Sequence, residues 1–295
     1  MLQINAKSLL KLCVIFIFLG RAYQYLFYNA PFRALLWDEN LLKPLVEQMF
    51  NTNWNAYVTD LSIDKYIQAS IKTNGLLYLV AAICTAFIDK SNAGYLKYPI
   101  MIGGFLLALL SFLTLKERFF QYGQFFEHAI QVGIPFLLLH VIRKDGFTFQ
   151  IKFILKVLIG LTFISHGLYA FGYYPIPGHF IDMTINGLGV SENMAIAILK
   201  TAGILDFAIS ILIFLPRTYK YALWYAFIWG ILTAFARIVA GFNADFIFAS
   251  LHQTVYLTLY RLPHGLIPLL LLILAASVKK KDKTKPSLLI KTQLS

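Results

Sequence analysis

Ten residues capable of chemistry lie inside otherwise apolar stretches of this chain: Arg21, Lys72, Glu127, His128, His166, Lys200, Asp206, Arg237, Arg261 and His264. A charged group at the centre of a bilayer costs about 2.5–3.5 kcal/mol on insertion scales, so such groups pair, bind a ligand or move protons. The set holds five cations (Arg21, Lys72, Lys200, Arg237 and Arg261) against two carboxylates (Glu127 and Asp206). Internal pairing would leave an excess of positive charge. That excess predicts a polar cavity for an anion, an acidic headgroup or a polarisable carbonyl such as a quinone's. The bland alternative for Lys72, Lys200 and Arg237 is snorkelling, because they stand near span ends. Arg21 and Arg261 stand deeper, where a buried partner is expected. Ala202, Gly203 and Ser210 share a helix face with Asp206, at i−4, i−3 and i+4. Two readings of Asp206 follow: a packing seam with its carboxylate satisfied by His166 or an arginine, or a proton-handling group. No metal site is expected. No two of the six histidines are spaced i, i+4, and the adjacent Glu127 and His128 do not share a helix face. Haem on His128 with His264, or on His166, is geometrically open but has no C-x-x-C-H to support it. Hydrolase and NTPase signatures are missing as well.

The elements that must position these groups are membrane helices. The chain is 59% hydrophobic and only 14% charged, with a mean hydropathy of +0.67. A soluble domain carries about 25% charge. Eight segments are long enough to span a bilayer: roughly 10–30, 66–88, 98–115, 122–142, 151–172, 193–215, 220–240 and 253–278. With the N-terminus inside, sixteen of the Lys and Arg fall in the inner connections and tail, and five in the outer connections. The expectation is a multi-pass protein of a bacterial inner (plasma) membrane with both termini cytoplasmic. The net charge of +12 sits in short loops and in the basic tail 279–295. The expected partner is therefore the lipid bilayer and not nucleic acid. Cys13 and Cys84 both lie within apolar runs and form no redox motif. The two longest loops, 31–65 and 173–192, face outward and are rich in aromatics. Residues 41–50 are expected as a short interfacial helix, and Ser191 as the cap of the sixth span. Nearly all the buried polar residues then fall in the outer leaflet.

An internal repeat organises the spans. Lys72-Thr73-Asn74-Gly75-Leu76-Leu77-Tyr78 has a twin in Lys200-Thr201-Ala202-Gly203-Ile204-Leu205-Asp206. His128 through Gly133-Ile134-Pro135 parallels Arg261 through Leu266-Ile267-Pro268, with a kink expected at each proline. Tyr23 aligns with Tyr169. Two tandem four-helix units follow, 1–145 and 146–278, related by a pseudo-twofold axis along the membrane normal.

Phe163-Ile164-Ser165-His166-Gly167, followed by an outer loop and Gly203-Ile204-Leu205-Asp206, resembles the DoxX-like four-helix membrane proteins. That family carries a His-Gly on its first helix and a Gly-x-x-Glu on its second; Asp206 takes the place of the Glu here. The first unit departs further, with Gly20-Arg21 for His-Gly and Tyr78 for the carboxylate. The resemblance implies an all-α fold of two bundles. It also implies a subunit of a quinone-linked membrane redox complex, with a soluble redox partner or a further membrane subunit. The residues alone leave two other readings open: a carrier or binding protein for an anionic solute or lipid, and a non-catalytic assembly factor.

Overall fold

The computed structural model describes residues 5–283 of the chain; the end of the expected basic tail 279–295, from Thr284 on, lies outside them. Those residues are helical and turn-forming throughout, with no strand among them. In order they form α1 (Ala6–Phe27), α2 (Arg33–Leu36), α3 (Glu39–Met49), α4 (Trp54–Thr59), α5 (Leu61–Phe87), α6 (Ala93–Glu117), α7 (Tyr122–Phe126) and α8 (Ala129–Lys144). There follow α9 (Phe149–Phe171), α10 (Gly178–Leu188), α11 (Glu192–Leu212), α12 (Tyr219–Gly241), a 3₁₀ turn (Ala244–Phe246), α13 (Ile247–Leu259) and α14 (Pro263–Lys283).

Seven helical segments are long and apolar enough to cross a membrane, counting α7 and α8 as one run. The 3₁₀ turn with α13, and α14 after it, form a bent apolar pair with a 40° break, which makes an eighth crossing if the pair is one span. The chain is thus a multi-pass membrane protein. Large apolar side chains such as Ile83, Phe105, Ile204 and Ile228 stay exposed on these helices, as hydrocarbon contact requires.

Local chemistry places the helix ends. Asn5, Asp38, Asn53, Asp60 and Thr148 each accept a backbone N–H of the helix they precede, which satisfies donors left free in a first turn. Ser191 precedes α11, but its side chain makes no such bond. Gly172 and Gly189 end α9 and α10 with φ of 93° and 66°, a conformation that favours glycine. The loop stretch 41–50 folds as most of α3. Asp38 is held there by Lys116 at the end of α6. Bonding to Lys116, and then to the Leu41 N–H, keeps the Asp38 carboxyl below the ordinary carboxylate range.

The last span differs from the expected unbroken helix over 253–278. It breaks at Tyr260-Arg261-Leu262. Pro263 starts α14, and the residue before a proline is pushed out of helical conformation. Pro135 and Pro268 lie inside α8 and α14, and separate interruptions come before them, at Glu127-His128 and at Arg261.

Helix α1 packs along α5, and α9 along α11. Helix α6 packs on α8, and α12 on α14; α8 also meets α1, and α14 meets α9. The halves join where α1 meets α13 and α14, and where α8 meets α9. Close approach is bought by glycine. A Cβ on Gly203 would stand 2.6 Å from the Phe171 backbone nitrogen, and one on Gly75 would stand 3.0 Å from Tyr25 Cβ. Without a hydrophobic force between helices in lipid, such contacts carry much of the association.

Gly203→Ala should therefore destabilise the protein by about 1–3 kcal/mol. Gly94→Ala, with no atom within 4 Å of the added carbon, should be neutral or stabilising by up to about 1 kcal/mol. Thermal unfolding in detergent measures both; equal midpoints would mean that α9 and α11 do not need this contact.

Candidate functional site

Two breaks, before α8 and before α14, carry polar residues within otherwise apolar helical runs. The break before α8 carries Glu127 and His128, and the break before α14 carries Arg261 and, one turn on, His264. Two apposed spaces open beside the second break. The larger is a chamber of about 400 Å³ between α9, α11, α12 and α14, roofed by α10. The smaller, about 320 Å³, is a vestibule under α10. Arg237, Arg261 and Met183 line both.

Five of the ten residues singled out by the sequence line the chamber: His166, Asp206, Arg237, Arg261 and His264. His166 comes from α9 and faces His264 with ring centroids 5.4 Å apart. Asp206 is buried on α11, and its Oδ1 has no hydrogen-bond partner. The expected satisfaction of Asp206 by His166 or an arginine is not what the structure shows. Ser210 instead donates its hydroxyl to the Asp206 carbonyl and to the Gly160 carbonyl, at 2.7 and 3.1 Å. That bonding belongs to the α9–α11 seam and leaves the carboxyl turned to the chamber.

Arg237 is 8% exposed. It does not reach out of its span, as snorkelling would require; it bonds the Thr233 carbonyl one turn back on its own helix. Arg261 lies over the Tyr260 ring at 4.8 Å, and its Nη1 is buried without a hydrogen-bond partner. The Nε2 of His264 is likewise buried and unpartnered. The four ion pairs among the described residues are Lys7–Asp145, Arg33–Asp64, Lys43–Glu39 and Lys116–Asp38. None of them joins an intramembrane cation to Glu127 or Asp206, so the expected internal neutralisation does not occur.

The other five residues lie elsewhere. Lys72 and Lys200 occupy exposed faces of α5 and α11, outside the linings of both spaces, in the manner of snorkelling lysines. Arg21, Glu127 and His128 form a polar belt between the halves. His128 bonds the Gln124 carbonyl at 2.8 Å. Arg21 is 4% exposed and is answered by neutral groups. Its Nε and Nη2 donate to Gln131 at 3.0 and 2.7 Å, and its Nη1 donates to Gln24 at 2.7 Å. Its guanidinium lies 3.8 Å from the centre of the Tyr260 ring. The buried partner expected for Arg21 is thus an amide and an aromatic face, a cation–π arrangement.

Sequence reasoning missed Gln131 and Tyr260, and it missed His179, Asp182 and Asn186 of α10, which line the vestibule. Gln131 was detectable as a polar residue in an apolar span; a search for charge alone passes over it. The α10 residues sit in a loop and carry no periodic signal. Partial burial, and then the positive field of Arg261, Arg237 and Arg118, lowers the His179 imidazole to about 4. His179 is therefore neutral near pH 7, and the vestibule's positive field comes from its arginines.

No protein-family model, curated protein or solved structure matches this chain.

The arrangement offers three kinds of chemistry in one chamber. Two arginines can take an oxyanion, two imidazoles can donate to or accept from a carbonyl or hydroxyl, and one buried carboxyl can hold a proton. Arg21 serves the framework. Arg21→Ala should cost about 1.5–3 kcal/mol for each lost charged hydrogen bond that is not replaced. Arg21→Lys should recover only part of this, because an ammonium cannot reproduce the fork. Unfolding midpoints in detergent test the ranking; a lysine variant as stable as the parent would refute the clamp.

Proposed function

We propose that this protein binds an oxyanion-bearing ligand in the chamber beside the broken last span, as a membrane binding or carrier protein. One observation carries the reading: Arg237 and Arg261 share the wall between chamber and vestibule, and no carboxylate pairs with either. Keeping unpaired guanidinium groups in a low-dielectric site is costly. An arriving anion would relieve that cost with charge-assisted hydrogen bonds.

The redox reading keeps a specific support in the chamber. His166 and His264 face each other in the chamber that Asp206 also lines, its Oδ1 without a hydrogen-bond partner, a set able to hydrogen-bond a quinone carbonyl and supply a proton. In that reading the protein is a quinone-linked subunit of a larger redox complex, with a soluble or membrane partner.

The tandem DoxX-like organisation, 1–145 and 146–278, is part of the same proposal. Its support is the packing order. The first helix of each half lies on the second, the third on the fourth, and the fourth returns to the first. The twin glycines also agree, since Gly75 abuts Tyr25 and Gly203 abuts Phe171, positions that correspond when Tyr23 is aligned with Tyr169. The proposed orientation, from the distribution of Lys and Arg, puts both termini in the cytoplasm of a bacterial inner membrane. The vestibule then opens outward.

Arg237→Gln and Arg261→Gln should each weaken sulfate binding roughly tenfold or more, the equivalent of about 1.5–3 kcal/mol for a charged hydrogen bond. Calorimetric titration of the purified full chain measures this. Arginine-independent sulfate binding would reject the anion reading, and arginine-independent, His166-dependent binding of a short-chain quinone would favour the redox one.

A further inference from the structure

The chamber is far more apolar than a small anion needs. Beyond its arginines, histidines and Asp206, its walls are Phe163 from α9, Ile198 and Leu199 from α11, Trp229 and Phe235 from α12, and Phe180 from α10. Its volume is within the range of sites that enclose ligands of about drug size, about 300–1,000 Å³. Its two arginines stand where the chamber meets the vestibule, and the vestibule adds the polar His179, Asp182 and Asn186. The arginine pair thus marks one side of the combined space, and the chamber beyond it is a recess walled mostly by apolar side chains.

The recess is also open sideways. Leu232 and Val239 line it, yet they are 57% and 62% exposed on the flank of α12. Helices α11 and α12 touch only lightly, and α10 bridges them from above. In a membrane this flank faces lipid chains. The corresponding helices of the first half, α5 and α6, pack more closely. Tyr78, in the place of Asp206, is fully buried there against Phe18 and Tyr25, so the interior that is chamber in one half is side chain in the other.

Resting on the anion reading, we infer that the ligand is a chain-bearing anionic amphiphile. Its oxyanion headgroup sits on Arg237 and Arg261. Its chain lies in the recess that opens to the bilayer between α11 and α12. A free anion would use the arginines but leave the apolar walls without a role. A neutral lipid would use the walls but leave two guanidinium groups uncompensated.

The test uses the full chain in a non-ionic detergent with three probes: dodecyl phosphate, inorganic phosphate and dodecanol. Retention by native mass spectrometry and calorimetric titration give the readouts. The expected result is that dodecyl phosphate binds at least tenfold more tightly than either of the other two. Arg237→Gln should weaken it about tenfold, and Ala236→Trp, which fills the recess from α12, should do the same. Equal binding of inorganic and dodecyl phosphate, both arginine-dependent, would overturn the amphiphile inference while leaving the anion reading standing. Dodecanol binding as tightly as dodecyl phosphate would overturn both. The comparison of probes on the unmodified chain decides the matter even if the tryptophan variant fails to fold.

Discussion

A guanidinium inside a hydrocarbon slab must be answered by the protein itself, and Arg21 is answered from three sides. Gln131 of α8 takes two of its donors, Gln24 takes a third, and Tyr260 offers its ring. Those partners come from the first helix, the fourth span and the start of the break in the last span. Tyr260 adjoins Arg261, so the same stacked rings and guanidinium groups that hold the halves together set the rim of the chamber. Gly20 makes this possible by leaving no side chain between α1 and α13. A Cβ there would stand 2.9 Å from both the Tyr256 carbonyl oxygen and the Tyr260 nitrogen.

The α5–α6 side of the molecule and the α11–α12 side differ in their interiors. Gly75 and Gly203 do equivalent work in bringing a second helix onto a first. Three residues later the halves diverge. Tyr78 points into a packed cluster of aromatic rings, whereas Asp206 borders open space. An aromatic ring fills volume and excludes ligand; a short carboxyl leaves the volume vacant and lends it a proton site. The chamber therefore lies beside α11 and α12, while the interior beside α5 and α6 is filled by side chains.

Much of the fold was legible because hydropathy in a membrane protein reports directly on the solvent. The seven spans before the last lie within a few residues of where apolar runs placed them. The break in the last span was hidden: a window of hydropathy averages over Arg261, and Pro268, the more conspicuous proline in the repeat, drew attention from Pro263. The candidate site was half legible. Charge inside a span picked out His166, Asp206, Arg237, Arg261 and His264, but the same criterion picked out Lys72 and Lys200. One dimension of sequence does not say which face of a helix a residue occupies. Distance from the span end misjudged Arg237 for the same reason: it is long enough to reach either way, and its environment on α12 decides. The α10 contribution was illegible, since a loop's destination depends on what it covers.

The contact between α1 and the α13–α14 pair joins elements far apart in the chain. The face of α1 that carries Gly20 and Arg21 is synthesised well before its partners Tyr256 and Tyr260. During synthesis that face has only lipid, other proteins or the insertion machinery beside it. The bundle is thus closed like a ring by its final span, and that span brings its own membrane-embedded arginine. Completion of the polar belt and enclosure of the chamber both wait for that span.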